Sequence, residues 1–350
     1  GEVGAVVGYV QADPAGAHGL QTLDHARDTA PHGGRGVRHD GTVSSSSVPP
    51  TPRRTAALLT AGVTVALALG ACATGDDDEA PPRAPGPAAT GSAGEAGPTY
   101  ARYVALGDSF AALGPVAAPT TGPPGCLRST ADYPALLAEG LDGTEFVDVT
   151  CGGARTRDMT GRQLAETPPQ FDALTPGTDL VTLSIGGNDI GFGDIAGCVM
   201  TTRAGSVGPD GAPCRDRLER SVTDALDALP ARLDAVYDGI RDRSPGARII
   251  ATGYMPLVPD RGGCDFVASM NPGDVTWTRQ AAERITLIVA DAARRPGADV
   301  VSPADAGERH ACAPPAERYT DFTAVETGSH PMHPTAAGQR AMADAVAGVL

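Results

Sequence analysis

Basic residues are scarce in this chain, and lysine is absent from it altogether. The 350 residues carry 27 basic side chains, all of them arginine, against 42 acidic ones, which gives a formal net charge of −15. A molecule with this charge repels phosphate backbones. Nucleic acid is therefore not expected as a partner.

Several signatures of other enzyme classes are also missing. No Cys-x-x-Cys pair occurs and the histidines are not at ligand spacing, so no metal site is expected. The segment nearest to a Gly-x-Ser-x-Gly elbow, residues 204–208, lacks the first glycine. Gly191, Gly193 and Gly197 miss the dinucleotide-binding spacing by one residue. We expect no cofactor.

The first 50 residues differ in character from the rest of the chain. Apolar residues make up 41% of the whole sequence, which is enough for a sizeable core. Residues 1–50 lack apolar periodicity and end in a Ser/Thr/Pro-rich run, so burial cannot offset the entropy of ordering them. They are expected to be a disordered leader, or one assigned from the wrong start codon.

Residues 51–72 have the parts of a secretory signal. Two arginines precede an apolar run over 56–69, which is too short to span a membrane comfortably, and a small-residue site follows. We therefore expect export. The ending Leu-Gly-Ala-Cys resembles the lipobox of bacterial lipoproteins, and this resemblance implies acylation of Cys72 and a membrane anchor. A plain cleaved signal peptide with an incidental cysteine is the alternative.

Residues 73–99 are predicted to be a flexible linker. They are rich in Gly, Pro, Ala and Ser and carry an acidic run from Asp76 to Glu79. These adjacent carboxylates lack the spaced ligands and turn glycine of a calcium loop, so we interpret them as a solvated spacer.

From residue 100 onwards, strand-like and helix-like segments alternate. The strand-like runs cover 103–106, 146–149, 180–185, 248–252 and 300–301, and the helical ones cover 133–141, 215–243, 275–294 and 335–350. This alternation is typical of a parallel sheet covered by helices on both faces. We predict one doubly wound, three-layer α/β domain over residues 100–350.

Polar clusters follow the first three predicted strands, where ligands bind in such sheets. They are Gly107-Asp108-Ser109, Cys151-Gly152-Gly153-Ala154 and Gly186-Gly187-Asn188-Asp189, and His333-Pro334 precedes the last helix. In this order the four blocks resemble those of the SGNH (GDSL) hydrolases, over about residues 101–350. The resemblance implies a flavodoxin-like fold and an ester hydrolase similar to secreted actinobacterial GDSL lipases and esterases.

The resemblance also assigns chemical roles. Ester hydrolysis needs a nucleophile, a base and donors for the developing oxyanion. The matching positions imply Ser109 as nucleophile and His333 as general base. They imply the backbone N–H groups of Ser109 and Gly153, with the side-chain amide of Asn188, as oxyanion donors.

The histidines narrow the choice of base. Four of the seven lie in the leader, and those remaining are His310, His330 and His333. His310 is expected to be structural. Many family members carry Asp three residues before the base, but this position holds His330. The resemblance implies that the main-chain carbonyl of His330 orients His333, with no catalytic role for the His330 side chain. A remote carboxylate, which the sequence does not identify, is the alternative.

Six cysteines remain if Cys72 is lipidated, and an even number is typical of disulfides in an oxidising compartment. Six cysteines allow about fifteen pairings. The resemblance to secreted actinobacterial lipases implies the pairs Cys126–Cys151, Cys198–Cys214 and Cys264–Cys312.

The sequence does not identify the substrate. Apolar residues in 111–119 and 192–199 could line an acyl pocket or could be ordinary packing. The family-level expectation is a monomeric enzyme acting on carboxyl esters, with a short or medium acyl chain, or on lipids. Alternatives are a thioesterase or carbohydrate deacetylase with the same machinery, and a surface lipoprotein that binds lipid or glycan without turnover.

Overall fold

The computed structural model describes residues 99–205, 207–208 and 210–350. The predicted leader, the signal segment with Cys72, and all but the last residue of the linker lie outside the described residues. Among the helices in the described part, none combines the length and apolar character needed to cross a membrane.

Five parallel strands form the central sheet. They are β1 (Arg102–Gly107), β2 (Glu145–Asp148), β3 (Leu180–Ser184), β4 (Arg248–Thr252) and β5 (Asp299–Val301). Their order across the sheet is β2-β1-β3-β4-β5, which is the flavodoxin-like order. Val104 of β1 pairs with Val147 of β2 on one side and with Val181 of β3 on the other. The predicted doubly wound parallel sheet is confirmed.

The described residues also form seven α-helices. They are α1 (Ser109–Ala112), α2 (Tyr133–Ala138), α3 (Phe192–Thr201), α4 (Pro213–Arg243), α5 (Asp265–Ser269), α6 (Pro272–Arg294) and α7 (Ala336–Ala347). Apolar periodicity predicted α2, α4, α6 and α7. It missed α3, in which Gly193 and Gly197 lower the helix propensity, while Ile195 and Val199 are buried in the core.

The helices cover both faces of the sheet. Successive strand side chains point to opposite faces. Val104 and Leu106 therefore join the core built with α3, α4 and α6, while Tyr103 and Ala105 join the core built with α2 and α7. Because both faces of the sheet are buried, the strand sequences are continuous apolar runs and do not alternate with polar residues.

A buried glutamine ties α7 to the helices that follow β1. Gln339 is fully buried; its amide nitrogen donates to the Phe110 and Leu113 carbonyl oxygens, at 3.2 and 2.5 Å. Its amide oxygen accepts from the backbone N–H of Tyr133 at 2.9 Å. The start of α7, which follows His333 in the chain, is thereby held against α1, which begins at Ser109.

Three disulfide bonds cross-link the domain. Their partners are Cys126–Cys151, Cys198–Cys214 and Cys264–Cys312, the same pairs that the family resemblance implied. The first fixes the segment after β2, and the second joins α3 to α4.

Candidate active site

Ser109 lies at the carboxyl end of β1, as the first residue of α1. Asp108 fixes this turn, because its N–H donates to the Ser184 carbonyl of β3 at 2.8 Å. One oxygen of its side chain accepts from the Phe110 N–H at 3.0 Å. Ser109 is buried. The turn therefore holds the hydroxyl at a fixed place beyond the sheet edge.

His333 lies against Ser109, although the two are far apart in the chain. Its Nε2 is 2.8 Å from the Ser109 Oγ, and its Nδ1 is 2.7 Å from the Pro331 carbonyl oxygen. Because a carbonyl can only accept, Nδ1 carries the proton and donates to Pro331. Nε2 is then free to accept the Ser109 proton. The structure thus brings together the two residues predicted as nucleophile and base.

The prediction that the His330 carbonyl orients the base is wrong. That carbonyl accepts the backbone N–H of His333 at 3.2 Å and closes a turn in which Met332 has a left-handed φ of 62°. The turn directs the Pro331 carbonyl to the imidazole instead. An Asp three residues before the histidine can reach the imidazole because its side chain is long enough. A main-chain carbonyl at the same position is too far from the ring, so the carbonyl of a nearer residue takes this place. Within the described residues, no carboxylate is hydrogen-bonded to the His333 ring.

The three groups predicted to be oxyanion donors are the Ser109 N–H, the Gly153 N–H and the Asn188 side-chain amide. Gly153 has φ of 80°, a left-handed conformation that favours glycine. Neither its N–H nor that of Ser109 has an acceptor among the described residues. The Asn188 amide donates one N–H to the Ala154 carbonyl at 3.0 Å, which leaves its second N–H. Their action as oxyanion donors stays a prediction.

The second and third sequence blocks are tied together by Asp189. This carboxylate is almost wholly buried and accepts from the N–H and the hydroxyl of Thr156, at 2.9 and 2.5 Å. Arg232 lies 3.5 Å from it. Charge-assisted hydrogen bonds of this kind are stronger than neutral ones, so they fix the loop that carries Gly153.

Sequence reasoning missed Tyr254. It follows β4 and reaches the site from the same edge of the sheet as the predicted blocks. Its hydroxyl accepts from the Gly187 N–H at 2.7 Å and donates to the second oxygen of Asp108 at 2.5 Å. Burial raises the pKa of Asp108 to about 7, and the hydrogen bond from Tyr254 lowers it. The sequence signal that could have identified Tyr254 is its position just after a predicted strand.

The surroundings of His333 favour the neutral imidazole. Burial, with the rings of Phe110 and Phe192 centred 5.6 and 5.9 Å away, lowers the pKa of His333 to about 4. The Pro331 hydrogen bond raises this pKa, and the charge of His330 lowers it. His333 is therefore neutral, as a general base must be, down to mildly acidic pH.

An apolar cavity of about 660 Å³ opens beside Ser109. Its walls come mainly from α3, α6 and the segment after β4. Apolar lining residues include Phe192, Ile195, Val199, Met270, Ala281 and Ile285. Of the two segments that sequence reasoning considered for an acyl pocket, 192–199 lines this cavity. The described residues of 111–119 are not among its walls.

Residues 105–341 match the GDSL-like Lipase/Acylhydrolase family. The chain belongs to this family. It is accordingly a carboxylic ester hydrolase, and the family resemblance seen in the four sequence blocks is confirmed.

Named relatives agree with this membership. The chain is 38% identical to Lipase 2 of Streptomyces coelicolor over 253 residues, which cover 71% of this chain and 85% of the relative. It is 40% identical to a lipase of Streptomyces rimosus over 162 residues, 46% of this chain and 55% of that one. The solved structure of the extracellular Streptomyces rimosus lipase superposes with a TM-score of 0.59 at 28% identity, covering 71% of this chain and 99% of that chain.

Substitutions of His330 and His333 should have different effects on the pH–rate profile. Because the base must be neutral, kcat/KM should fall as pH drops through the His333 pKa of about 4, well below the usual 6.5 or so. His330→Ala should keep most activity and move this acidic limb to higher pH, since a charge opposing protonation is gone. His333→Ala should lose about a thousandfold or more. Equal losses in both variants would show that the His330 side chain takes part.

Proposed function

We propose that the protein is an exported, monomeric ester hydrolase that works through an acyl-enzyme on Ser109, with His333 as general base. The observation that carries this proposal is the 2.8 Å contact between the Ser109 Oγ and the His333 Nε2, with Nδ1 engaged by Pro331. A hydroxyl is a weak nucleophile at its free pKa and needs such a base.

The first half of the reaction forms the acyl-enzyme. The Ser109 Oγ bonds to the substrate carbonyl carbon while His333 takes the hydroxyl proton. The electron pair of the C=O bond moves to oxygen, where the N–H groups of Ser109 and Gly153 and the Asn188 amide donate to it. When the intermediate collapses, the bond to the alcohol oxygen breaks and the imidazolium returns its proton to that oxygen.

The second half releases the acid. Water attacks the Ser109 ester while His333 accepts a proton from it, and the same donors hold the second oxyanion. Collapse breaks the bond to the Ser109 oxygen, which regains the proton from His333. The Pro331 carbonyl keeps the ring in one tautomer and orientation through both halves, which is the part that an aspartate takes in a triad.

Ser109→Ala should remove this chemistry. We expect the variant to lose labelling by a fluorophosphonate probe and to hydrolyse p-nitrophenyl esters at least about a thousandfold more slowly. Ser221→Ala is the matched control, because Ser221 is exposed on α4 and, among the described residues, its hydroxyl bonds only to the Leu218 carbonyl. Unchanged labelling in Ser109→Ala would remove this residue from the mechanism. Parallel assays with acyl-CoA and acetylated sugars test the thioesterase and deacetylase alternatives.

The cavity beside Ser109 supports an acyl chain of medium length as the acid part of the substrate. Phe192 to Val199 on α3 and Thr278 to Ile285 on α6 each line it over about 10 Å, at 1.5 Å of rise per residue. An extended acyl chain of about eight carbons has a similar length. An acetyl group would leave most of this apolar surface unused, so the cavity favours fatty acyl esters over carbohydrate acetates.

Filling part of the cavity should shorten the preferred acyl chain. Ala281 lines the cavity from α6, one turn before Ile285, and a leucine at this position occupies space that the alanine leaves open. Wild type should gain up to about fourfold in kcat/KM per methylene from acetate to octanoate, because each buried methylene is worth about 0.8 kcal/mol. Ala281→Leu should lose about tenfold on octanoate and keep butyrate hydrolysis within about twofold.

Ala231→Leu is the control for this series, because Ala231 is exposed on α4 and is not among the cavity walls. A parallel loss on butyrate and octanoate would indicate general damage to the site. An unchanged chain-length profile in Ala281→Leu would place the acyl chain elsewhere.

Export and anchoring are proposed from the sequence together with the disulfide bonds. Three disulfides suit an oxidising compartment outside the cytoplasm. Residues 51–72 carry the signal features and Cys72 ends the lipobox-like motif. A diacylated cysteine supplies two chains, which is enough for stable membrane attachment.

Cys72→Ser should release the enzyme from the membrane. In a bacterial host that lipidates exported proteins, we expect the wild-type chain to incorporate an alkyne-tagged fatty acid and to sediment with membranes. The variant should lose the label and leave the membrane fraction without loss of specific esterase activity. Ser92→Ala, in the linker that follows the signal segment, should behave as wild type. An unlabelled wild-type protein in the medium would identify a plain cleaved signal peptide.

A further inference from the structure

A continuous chain of hydrogen bonds links the third sequence block, at Gly187, to the first, at Asp108. The Gly187 N–H donates to the Tyr254 hydroxyl, and that hydroxyl donates to Asp108 Oδ2. The Phe110 N–H donates to the other oxygen of Asp108. Burial raises the pKa of Tyr254 well above its usual value, so the phenol stays protonated and keeps its donor role.

Both ends of this chain are next to groups that act on the substrate in the proposed mechanism. Gly187 immediately precedes Asn188, whose amide is a proposed oxyanion donor. Asp108 immediately precedes Ser109, and its bond to the Phe110 N–H caps the first turn of α1. The Ser109 N–H, which lies between these two residues, is left without an acceptor among the described residues. A shift of Tyr254 would therefore displace both the Ser109 turn and the Asn188 loop in the proposed mechanism.

The contact with Gly187 leaves little room for a side chain at that position. A Cβ built on Gly187 would lie 3.1 Å from the Tyr254 hydroxyl oxygen and 3.2 Å from its ring carbon Cζ. On the other side, the Tyr254 ring packs edge-on against Phe110, with centroids 4.9 Å apart. The position of the hydroxyl is thus fixed by packing as well as by its two hydrogen bonds.

We propose that Tyr254 is a positioning residue that couples the Ser109 turn to the Asn188 loop through its hydroxyl. The inference rests on the proposed function, because it concerns the oxyanion donors of that reaction. Removing the hydroxyl leaves Asp108 Oδ2 and the Gly187 N–H, both inside the site, without this partner. The two loops can then shift independently, and small displacements of catalytic groups cost large factors in rate.

The test compares two tyrosines that lose the same atom. Tyr254→Phe keeps the ring against Phe110, so we expect kcat to fall by about tenfold or more while KM for a p-nitrophenyl ester stays within about twofold. Tyr103→Phe is the control: Tyr103 is fully buried and its hydroxyl lies 2.8 Å from the Thr182 hydroxyl inside the sheet. This variant should lose comparable stability in thermal unfolding and keep its kcat.

A double-mutant cycle with Asp108→Asn adds a readout that simple destabilisation does not move. If the two residues act as one unit, the double variant should lose less kcat than the product of the single losses. A kcat unchanged in folded Tyr254→Phe, or a loss that Tyr103→Phe matches, would overturn the proposal. If Tyr254→Phe does not fold, Asp108→Asn alone decides, since an unchanged kcat there would also overturn it.

Assays of the wild-type protein distinguish a failure of this proposal from a failure of the proposed function. Absence of ester hydrolysis and of fluorophosphonate labelling in wild type would reject the function itself. Full wild-type activity with an unaffected Tyr254→Phe would reject only the positioning role.

Discussion

The hydrogen bond between Ser109 and His333 joins residues that are 224 positions apart, and most of the architecture serves to hold it. A parallel sheet brings the carboxyl ends of its strands to one edge, so the turn after β1 is presented next to the turns after β2, β3 and β4. The histidine comes from a different kind of element, the two-residue strand His333–Pro334 before α7, which pairs antiparallel with Thr320–Asp321. Gln339 closes that gap by binding α1, α2 and α7 in one buried cluster.

The use of a main-chain carbonyl in place of a carboxylate changes the electrostatics of the base. The Pro331 oxygen fixes the tautomer and orientation of His333 but brings no negative charge to stabilise an imidazolium. The ring is also flanked by Phe110 and Phe192, which disfavour the charged form further. In the proposed mechanism, more of the stabilisation of the transition state must then come from the proposed oxyanion donors.

Features set by local chemistry were predictable from the sequence, and features set by contacts between distant segments were not. Continuous apolar runs indicated the buried strands, and amphipathic periodicity indicated α4 and α6. The glycines of α3 hid a helix that packing and the Cys198–Cys214 bond support. The choice between the His330 and Pro331 carbonyls depends on the φ of Met332, and the role of Tyr254 depends on partners 67 and 146 residues away. No periodicity or spacing encodes either.

The walls of the apolar cavity and the groups around the reacting carbonyl come from largely separate parts of the chain. Ser109 begins α1, Gly153 lies in a turn and His333 lies in a short strand before α7, whereas much of the cavity wall consists of side chains on α3 and α6. A substitution such as valine for isoleucine on these helices alters the shape of the cavity without touching a turn. Members of this family can therefore come to differ in the shape of this cavity while they keep the same contact between the serine and the histidine.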